Sequence, residues 1–356
     1  MRRTWVAAHR WLGLVAAAFW LIQAATGVAI VFRWELDDAM IAGEPVVPQL
    51  GALGSRVESI VRNRGTVSSL WASSAAASRF DIYYADAAGI DRVMRVDGAG
   101  RILRDGPDHA LIANGGLFNT LTTLHQSLFA GDLGDWIVGL SGILLLTNLL
   151  LGLRVAWPHA RSWRKALFDL PTGGASARLH GWHRTIGFWG SVPALMLVSA
   201  GVLLAFKDGI AERLAADLPV PEAHAASAAA GTPAKLSPGT ALEIAMHRYP
   251  GAALSALILP ADTEPWYLVR LRVPGELPRN WGTTTLFVDA TSGAVLANHD
   301  ARRAPPGRAF VDALYPVHTG QWAGIAGRAV VLVAGAWLLT MVVLGLTLWL
   351  VRRSRA

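Results

Sequence analysis

The sequence predicts a membrane α-helical bundle of four transmembrane helices in two parallel tandem repeats, with two α+β outer domains. Three observations carry that reading. Four apolar runs are long enough to cross a bilayer, the second pair of runs repeats the first, and the two long segments between them have mixed composition. The chain has 356 residues, of which 53% are hydrophobic and 16% charged, against about 25% charged in a typical soluble domain. The missing charge is concentrated in 12–32, 136–157, 186–206 and 329–351. Each run holds about 20 residues, the length that spans a hydrocarbon core. The first run follows a basic start, Arg2 and Arg3, but exceeds the 7–15-residue core of a secretory signal, and its likeness to the third run argues that both are retained.

Lysine and arginine near the ends of spanning helices set orientation. Arg2, Arg3 and Arg10 precede the first run. Arg154, Arg161, Arg164, Lys165 and Arg178 lie between the second and third with one acid, Asp169, and Arg352, Arg353 and Arg355 close the chain. These three segments are expected in the cytoplasm and the long segments outside. The net charge of +7 then follows from topology and calls for no nucleic acid partner. The absence of cysteine excludes disulfides, thiolate metal sites, iron–sulfur clusters and thiol nucleophiles.

The repeat is visible residue by residue. His9, Arg10, Gly13 and Gly27 match His183, Arg184, Gly187 and Gly201 at one constant offset. His125, Ala130, Gly131, Gly134, Gly142, Leu145, Thr147 and Gly152 match His318, Ala323, Gly324, Gly327, Gly335, Leu338, Thr340 and Gly345 at another. Each half reads helix, large outer segment, helix, and both halves start inside, so the repeats are parallel. The expected division is 1–34, first helix; 35–117, first outer domain; 118–157, second helix; 158–178, cytoplasmic loop; 179–208, third helix; 209–309, second outer domain; 310–356, fourth helix and tail. In the second outer segment Gly239–Tyr249 reads as a helix, Trp266–Val273 and Thr283–Asp289 as strands, and Ala290–Leu296 as a turn. In the first, Val57–Arg62 reads as the helix, Phe80–Tyr84 and Arg92–Val96 as strands, with a turn from Asp97. The Pro- and Ala-rich stretch Pro219–Pro233 is expected to be a tether.

Four histidines occupy equivalent repeat positions. A single histidine at a helix end is ordinarily a hydrogen-bonding or headgroup-facing residue. Four in register at membrane segments, where ionisable groups are costly, mark a functional path. Packed about a two-fold axis, His9 faces His183 near the cytoplasmic side and His125 faces His318 near the outer side. Two facing imidazoles in an apolar bundle suit the axial positions of a haem, so the pattern implies two haems and a path for electrons through the membrane. A zinc or copper site would want three or four ligands. His180 lies three residues before His183 on the same face and is an alternate ligand. Arg10, Arg184 and Arg328 are candidate partners for haem propionates; positive-inside flanking explains Arg10 and Arg184 equally well. Gly13, Gly187, Gly131, Gly134, Gly324 and Gly327 leave room for a flat macrocycle, or serve ordinary small-residue packing. His109, His159, His224, His247 and His299 are expected to be solvated loop residues. His125 precedes the second run by about eleven residues, which on a straight helix lifts it to or above the outer surface unless the Ala130–Asp135 stretch turns the chain back.

HRWLG at His9 and HRTIG at His183, LHQSLFAGDLGDWIVGLSG from Leu124, and PVHTGQWAGIAGR from Pro316 together resemble the PepSY-associated transmembrane helix family over nearly the whole chain. The resemblance implies a bacterial inner-membrane protein with PepSY-like periplasmic domains, some of whose relatives are ferric siderophore reductases carrying haem b. It implies axial ligation by His9, His125, His183 and His318, and a ferric siderophore or other periplasmic ferric chelate as acceptor. No glycine-rich nucleotide fingerprint follows a strand, and the cytoplasmic connection is too short for a flavin or nicotinamide domain. Electrons are therefore expected from a quinol or another membrane donor. Trp71, Tyr83, Tyr84, Trp266 and Trp281 are candidate docking aromatics outside, or simply domain core. The other class of function is a non-enzymatic binding module or uptake permease, which has no need of a symmetric histidine set.

Overall fold

The computed structural model describes residues 2–41, 43–74, 78–108, 116–169, 171–221 and 236–354. Most of the expected tether, along with His109 and His224, falls outside the described residues. The chain forms two compact units. One comprises Met1–Val31, Leu121–Ile210 and Ala313–Ala356, and the other Phe32–Thr120 and Ala211–Asp312.

The first unit is a helical bundle. Its long helices are α1 (Arg2–Ile30), α5 (Gly131–Ala156), α7 (Ala175–Ala205) and α11 (Gly324–Arg353), with the short α6 (Trp163–Phe168) packed on α7. Four helical stretches, Arg3–Ile30, Gly131–Ala156, Ala175–Ala205 and Gln321–Arg353, are long and apolar enough to cross a membrane. Helix is the form that a single segment can take in lipid, because each N–H and C=O is then bonded within the segment. Three threonines obey the same rule. Thr147, Thr340 and Thr347 return their hydroxyls to the carbonyls of Ile143, Ala336 and Val343. Helix α1 packs on α5 and α11, and α7 packs on the same two, which leaves α1 and α7 across the bundle from one another. Contacts recur at the repeat offsets: a Cβ on Gly142 would meet Val202 at 2.8 Å, and one on Gly335 would meet Val28 at 2.7 Å.

The expected second and fourth helices are each two helices with a turn between. Helix α4 (Leu117–Ser127) precedes α5, and α10 (Pro306–His318) precedes α11. Leu128, Phe129 and Gly131 take positive φ of 53°, 60° and 52°, and Gly320 and Gly324 take 74° and 59°. Left-handed backbone reverses the chain at both places, at a steric cost that glycine escapes and Leu128 and Phe129 do not. Gly134 and Gly327 close these turns, since a Cβ there would lie 1.6 Å from the Ser127 carbonyl oxygen and 2.2 Å from that of Gly320. Their small size is required by backbone, so the macrocycle reading of these two glycines is corrected.

The second unit holds both outer segments, and their strands join in one sheet. The first segment supplies α2 (Arg33–Ala39), α3 (Leu50–Arg62), β1 (Thr66–Ala72), β2 (Arg79–Ala85), β3 (Asp91–Asp97) and β4 (Ile102–Pro107). The second supplies α8 (Lys207–Arg213), α9 (Pro238–Arg248), β5 (Ala253–Ile258), β6 (Trp266–Arg272), β7 (Thr284–Asp289) and β8 (Val295–His299). All eight strands join one antiparallel sheet in the order β4-β3-β2-β1-β5-β6-β7-β8. The seam is β1 with β5, where Ser69, Leu70 and Trp71 pair with Ile258, Leu257 and Ala256. A free strand edge exposes unpaired N–H and C=O groups, and this pairing removes one edge from each segment. The expected helices and strands are present, within a few residues of their expected limits except that α3 begins seven residues before the expected Val57.

Helices α3 and α9 pack on each other and on one core with Leu53, Val57, Leu70, Ile82, Leu242, Leu257, Val269 and Leu286. Their crossing is close: a Cβ on Gly54 would lie 2.5 Å from the Gly239 nitrogen. Arg95, nearly fully buried, donates to both oxygens of Asp81 at 2.8 Å and to Asp37, tying α2 to β2 and β3. Two expectations follow. Gly54→Ala drives a methyl into immovable backbone, and overpacking of that kind costs about 1–3 kcal/mol; it should lower the thermal midpoint of the sheet unit. Arg95→Ala strands the buried Asp81 carboxylate at about 3–5 kcal/mol and leaves Asp37 with Arg104 at 3.4 Å; it should lower the same midpoint further, both read by calorimetry of the intact detergent-solubilised chain.

Candidate cofactor site: two facing histidine pairs

The first unit brings the four repeat histidines together in two pairs. The rings of His9 on α1 and His183 on α7 have centroids 6.1 Å apart, with planes at 59°. Those of His125 on α4 and His318 on α10 are 6.3 Å apart, with planes at 28°. The turns at Leu128–Gly131 and Gly320–Gly324 make the second pair possible, because they fold α4 and α10 back so that both rings reach the bundle.

Each ring abuts a glycine of a neighbouring helix. A Cβ on Gly152 would stand 3.0 Å from His9 Cε1, and one on Gly27 would stand 3.0 Å from His125 Cε1. The corresponding distances are 2.8 Å for Gly201 to His318 and 3.5 Å for Gly345 to His183. All four glycines were visible in the sequence as repeat matches; their role was not, because it depends on which helices become neighbours. Gly13 and Gly187, expected near the rings, instead face Asn148 and Met341.

Hydrogen bonds fix the chemistry of three rings. His9 Nδ1 lies 3.1 Å from the Asn148 carbonyl oxygen, His125 Nδ1 3.0 Å from that of Gln23, and His318 Nδ1 3.0 Å from that of Leu197. A carbonyl only accepts, so Nδ1 carries the proton and donates, and Nε2 keeps its lone pair. That is the tautomer of a metal-ligating imidazole with its orientation set by backbone. Thr26 Oγ1 also lies 3.1 Å from His125 Nδ1. His183 Nδ1 is buried and has no partner among the described residues.

The donor set fits haem. A metal about 2 Å from each of two imidazole nitrogens, with each ring centre about 1 Å behind its nitrogen, puts the centroids roughly 6 Å apart. Both pairs have that spacing. Haem asks the protein for two axial ligands, and each pair offers two imidazoles. Of the other candidates, His180 is exposed and the ring facing His9 is that of His183. Arg10 is exposed with its guanidinium 5.5 Å from the Trp11 ring, and Arg184 Nε is buried without a partner among the described residues. Arg328 is buried, and its Nε and Nη2 donate to the Val31 carbonyl at 3.2 and 2.7 Å, capping the end of α1 where helix carbonyls lack intrahelical donors.

Outside the bundle two expectations change. His299 is buried at the end of β8, with Nε2 3.7 Å from Asp312, and is not a solvated loop residue. Trp266 and Tyr84 are core residues, while Trp71 and Trp281 are half-buried and stack edgewise, Trp281 also against Trp34. Arg33 lies over Trp34 and Arg270 over Trp71. Arg328→Met should lower the unfolding midpoint of the detergent-solubilised protein, since it removes a charged donor worth about 1.5–3 kcal/mol; Arg3→Gln, exposed at the start of α1, should not.

A comparison with curated proteins finds no match. A family model, the PepSY-associated TM region, matches residues 6–352. The match takes in both histidine pairs, all four apolar helices and the whole sheet. The chain belongs to the PepSY-associated TM region family.

Proposed function

We propose that the protein is a di-haem b electron carrier of the bacterial inner membrane, built from two parallel tandem repeats. In this reading it passes electrons outward to a ferric siderophore or another periplasmic ferric chelate. The observation that carries it is the pair of facing histidine sites at the two ends of one spanning helix. His9 and Gly27, the residue against His125, are separated by roughly 18 residues of α1, about 27 Å at 1.5 Å per residue, close to the ~30 Å of a hydrocarbon core.

Haem, when bound, supplies reversible one-electron chemistry at potentials set by its axial ligands and surroundings. The protein supplies the rest. Nε2 of His9 and His183, and of His125 and His318, would be the atoms that hold it. The carbonyls of Asn148, Gln23 and Leu197 hold three of the rings in the ligating tautomer. The apolar helices keep water away from the interior. Arg184 is the propionate partner best supported by its buried, unpartnered Nε.

The basic residues at the chain ends and in the α5–α7 connection orient His9 and His183 to the cytoplasm, where a quinol or other membrane donor gives up electrons. The sheet unit lies on the periplasmic side, as two PepSY-like halves joined at β1 and β5. There the acceptor is reduced: one electron converts Fe(III) to Fe(II), hard oxygen donors hold the lower charge less tightly, and iron is released. Lipid is the only other partner this reading requires.

The purified protein should show the sharp reduced bands of six-coordinate haem b, near two haems per chain by pyridine haemochrome assay. His9→Ala and His183→Ala should each abolish the same haem, and His125→Ala and His318→Ala the other. A protein that stays colourless after haem supplementation during expression would instead be a membrane-anchored binding module or permease centred on its sheet unit.

A further inference from the structure

The four histidines hold equivalent places, but one is held differently. Three rings donate Nδ1–H to a backbone carbonyl at 3.0–3.1 Å; His183 alone has no partner there among the described residues, although its Nδ1 is buried. The same three abut glycines at 2.8–3.0 Å by the Cβ measure, and His183 again stands apart at 3.5 Å. His125 also has Thr26 Oγ1 at 3.1 Å in addition to its carbonyl. Other buried polar atoms without partners among the described residues stand beside both pairs, Asn148 Oδ1 and Arg184 Nε at one and Gln23 Nε2 at the other, so the difference lies in the ring of His183 itself.

A ligand ring is kept on its metal partly by the hydrogen bond at its other nitrogen. That bond fixes the tautomer, restricts rotation and raises basicity, and its loss typically costs 10–100-fold in affinity. The two sites are therefore unequal as ligand fields. We propose that the His9–His183 site is an exchangeable haem position, at which Nε2 of His183 gives way to a small neutral ligand of the carbon monoxide class, while the His125–His318 site keeps both ligands. The inference rests on the haem reading above. The exchange breaks the bond from iron to Nε2 of His183 and forms one from iron to the incoming atom, with no change in electron count. His180, exposed one turn earlier, is removed together with His183 in the test below so that it cannot act as a substitute ligand.

The test is carbon monoxide titration of the dithionite-reduced protein, followed in the Soret band and expressed per haem. The native chain should bind one carbon monoxide for every two haems. His180→Ala/His183→Ala should leave the outer haem unreactive, whether it keeps both haems and binds carbon monoxide at the inner one alone or keeps only the outer one and binds none. His318→Ala should bind carbon monoxide at every haem it retains, whether it keeps two or only the inner one. Binding at neither or at both native haems would overturn the proposal, as would a native-like ratio in His318→Ala with full reaction in the double variant. Transfer of haem from the native chain to excess apomyoglobin gives a readout free of mutation. Two phases differing 10–100-fold are expected, and a single phase would overturn the inequality. A chain that holds no haem fails at the earlier spectrum, which separates the two ideas.

Discussion

A histidine ring seated on a helix glycine, with its proton given to a carbonyl of the helix it packs against, is the constraint on which the rest of this bundle depends. The contact demands a missing side chain at Gly27, Gly152 and Gly201, because a Cβ would come within 3.0 Å of the ring. It demands that α4 and α10 turn back at left-handed residues so that His125 and His318 point into the bundle. It also demands that the polar imidazole find a partner away from water, which the Asn148, Gln23 and Leu197 carbonyls provide. An imidazole placed in an apolar bundle without such a partner carries a desolvation cost of a few kcal/mol.

The sheet unit solves a different problem by the same doubling. Each outer segment alone makes four strands and one amphipathic helix, a small structure with two exposed strand edges and one thin core. Pairing β1 with β5 removes an edge from each, and crossing α3 over α9 at Gly54 and Gly239 puts both helices on one continuous core. Stability of either segment then depends on the other. On the other side of the strands, Arg95, Asp81 and Asp37 form a buried ion network that fixes α2, the first element after the first spanning helix.

Departures from the repeat are as informative as the repeat itself. The positions of Asn148 and Gln23 correspond to Met341 and Leu197 in the second half, so polar side chains accompany only the first. Thr26 has no hydroxyl counterpart, since its match is Ala200. Each pair takes one histidine from each half, so these departures fall on both sites, Asn148 beside His9 and Gln23 and Thr26 beside His125.

The sequence by itself determined the four spanning helices, the offsets of the repeat and the identity of the paired histidines, because hydrophobic length and exact residue matches are local properties of the chain. The helices and inner strands of the outer segments were legible for the same reason, their apolar spacing being intrinsic. Only the tertiary structure decided that the two outer segments share one sheet, since a strand edge carries no mark of its partner. It also decided that Gly134 and Gly327 serve a turn while Gly27, Gly152, Gly201 and Gly345 face the rings, that His299 is buried, that Arg328 caps α1, and that His183 lacks an anchor. Each of these is set by which atoms of distant segments come into contact, and a hydrogen bond or a missing Cβ acts over a few ångströms in space whatever the separation along the chain.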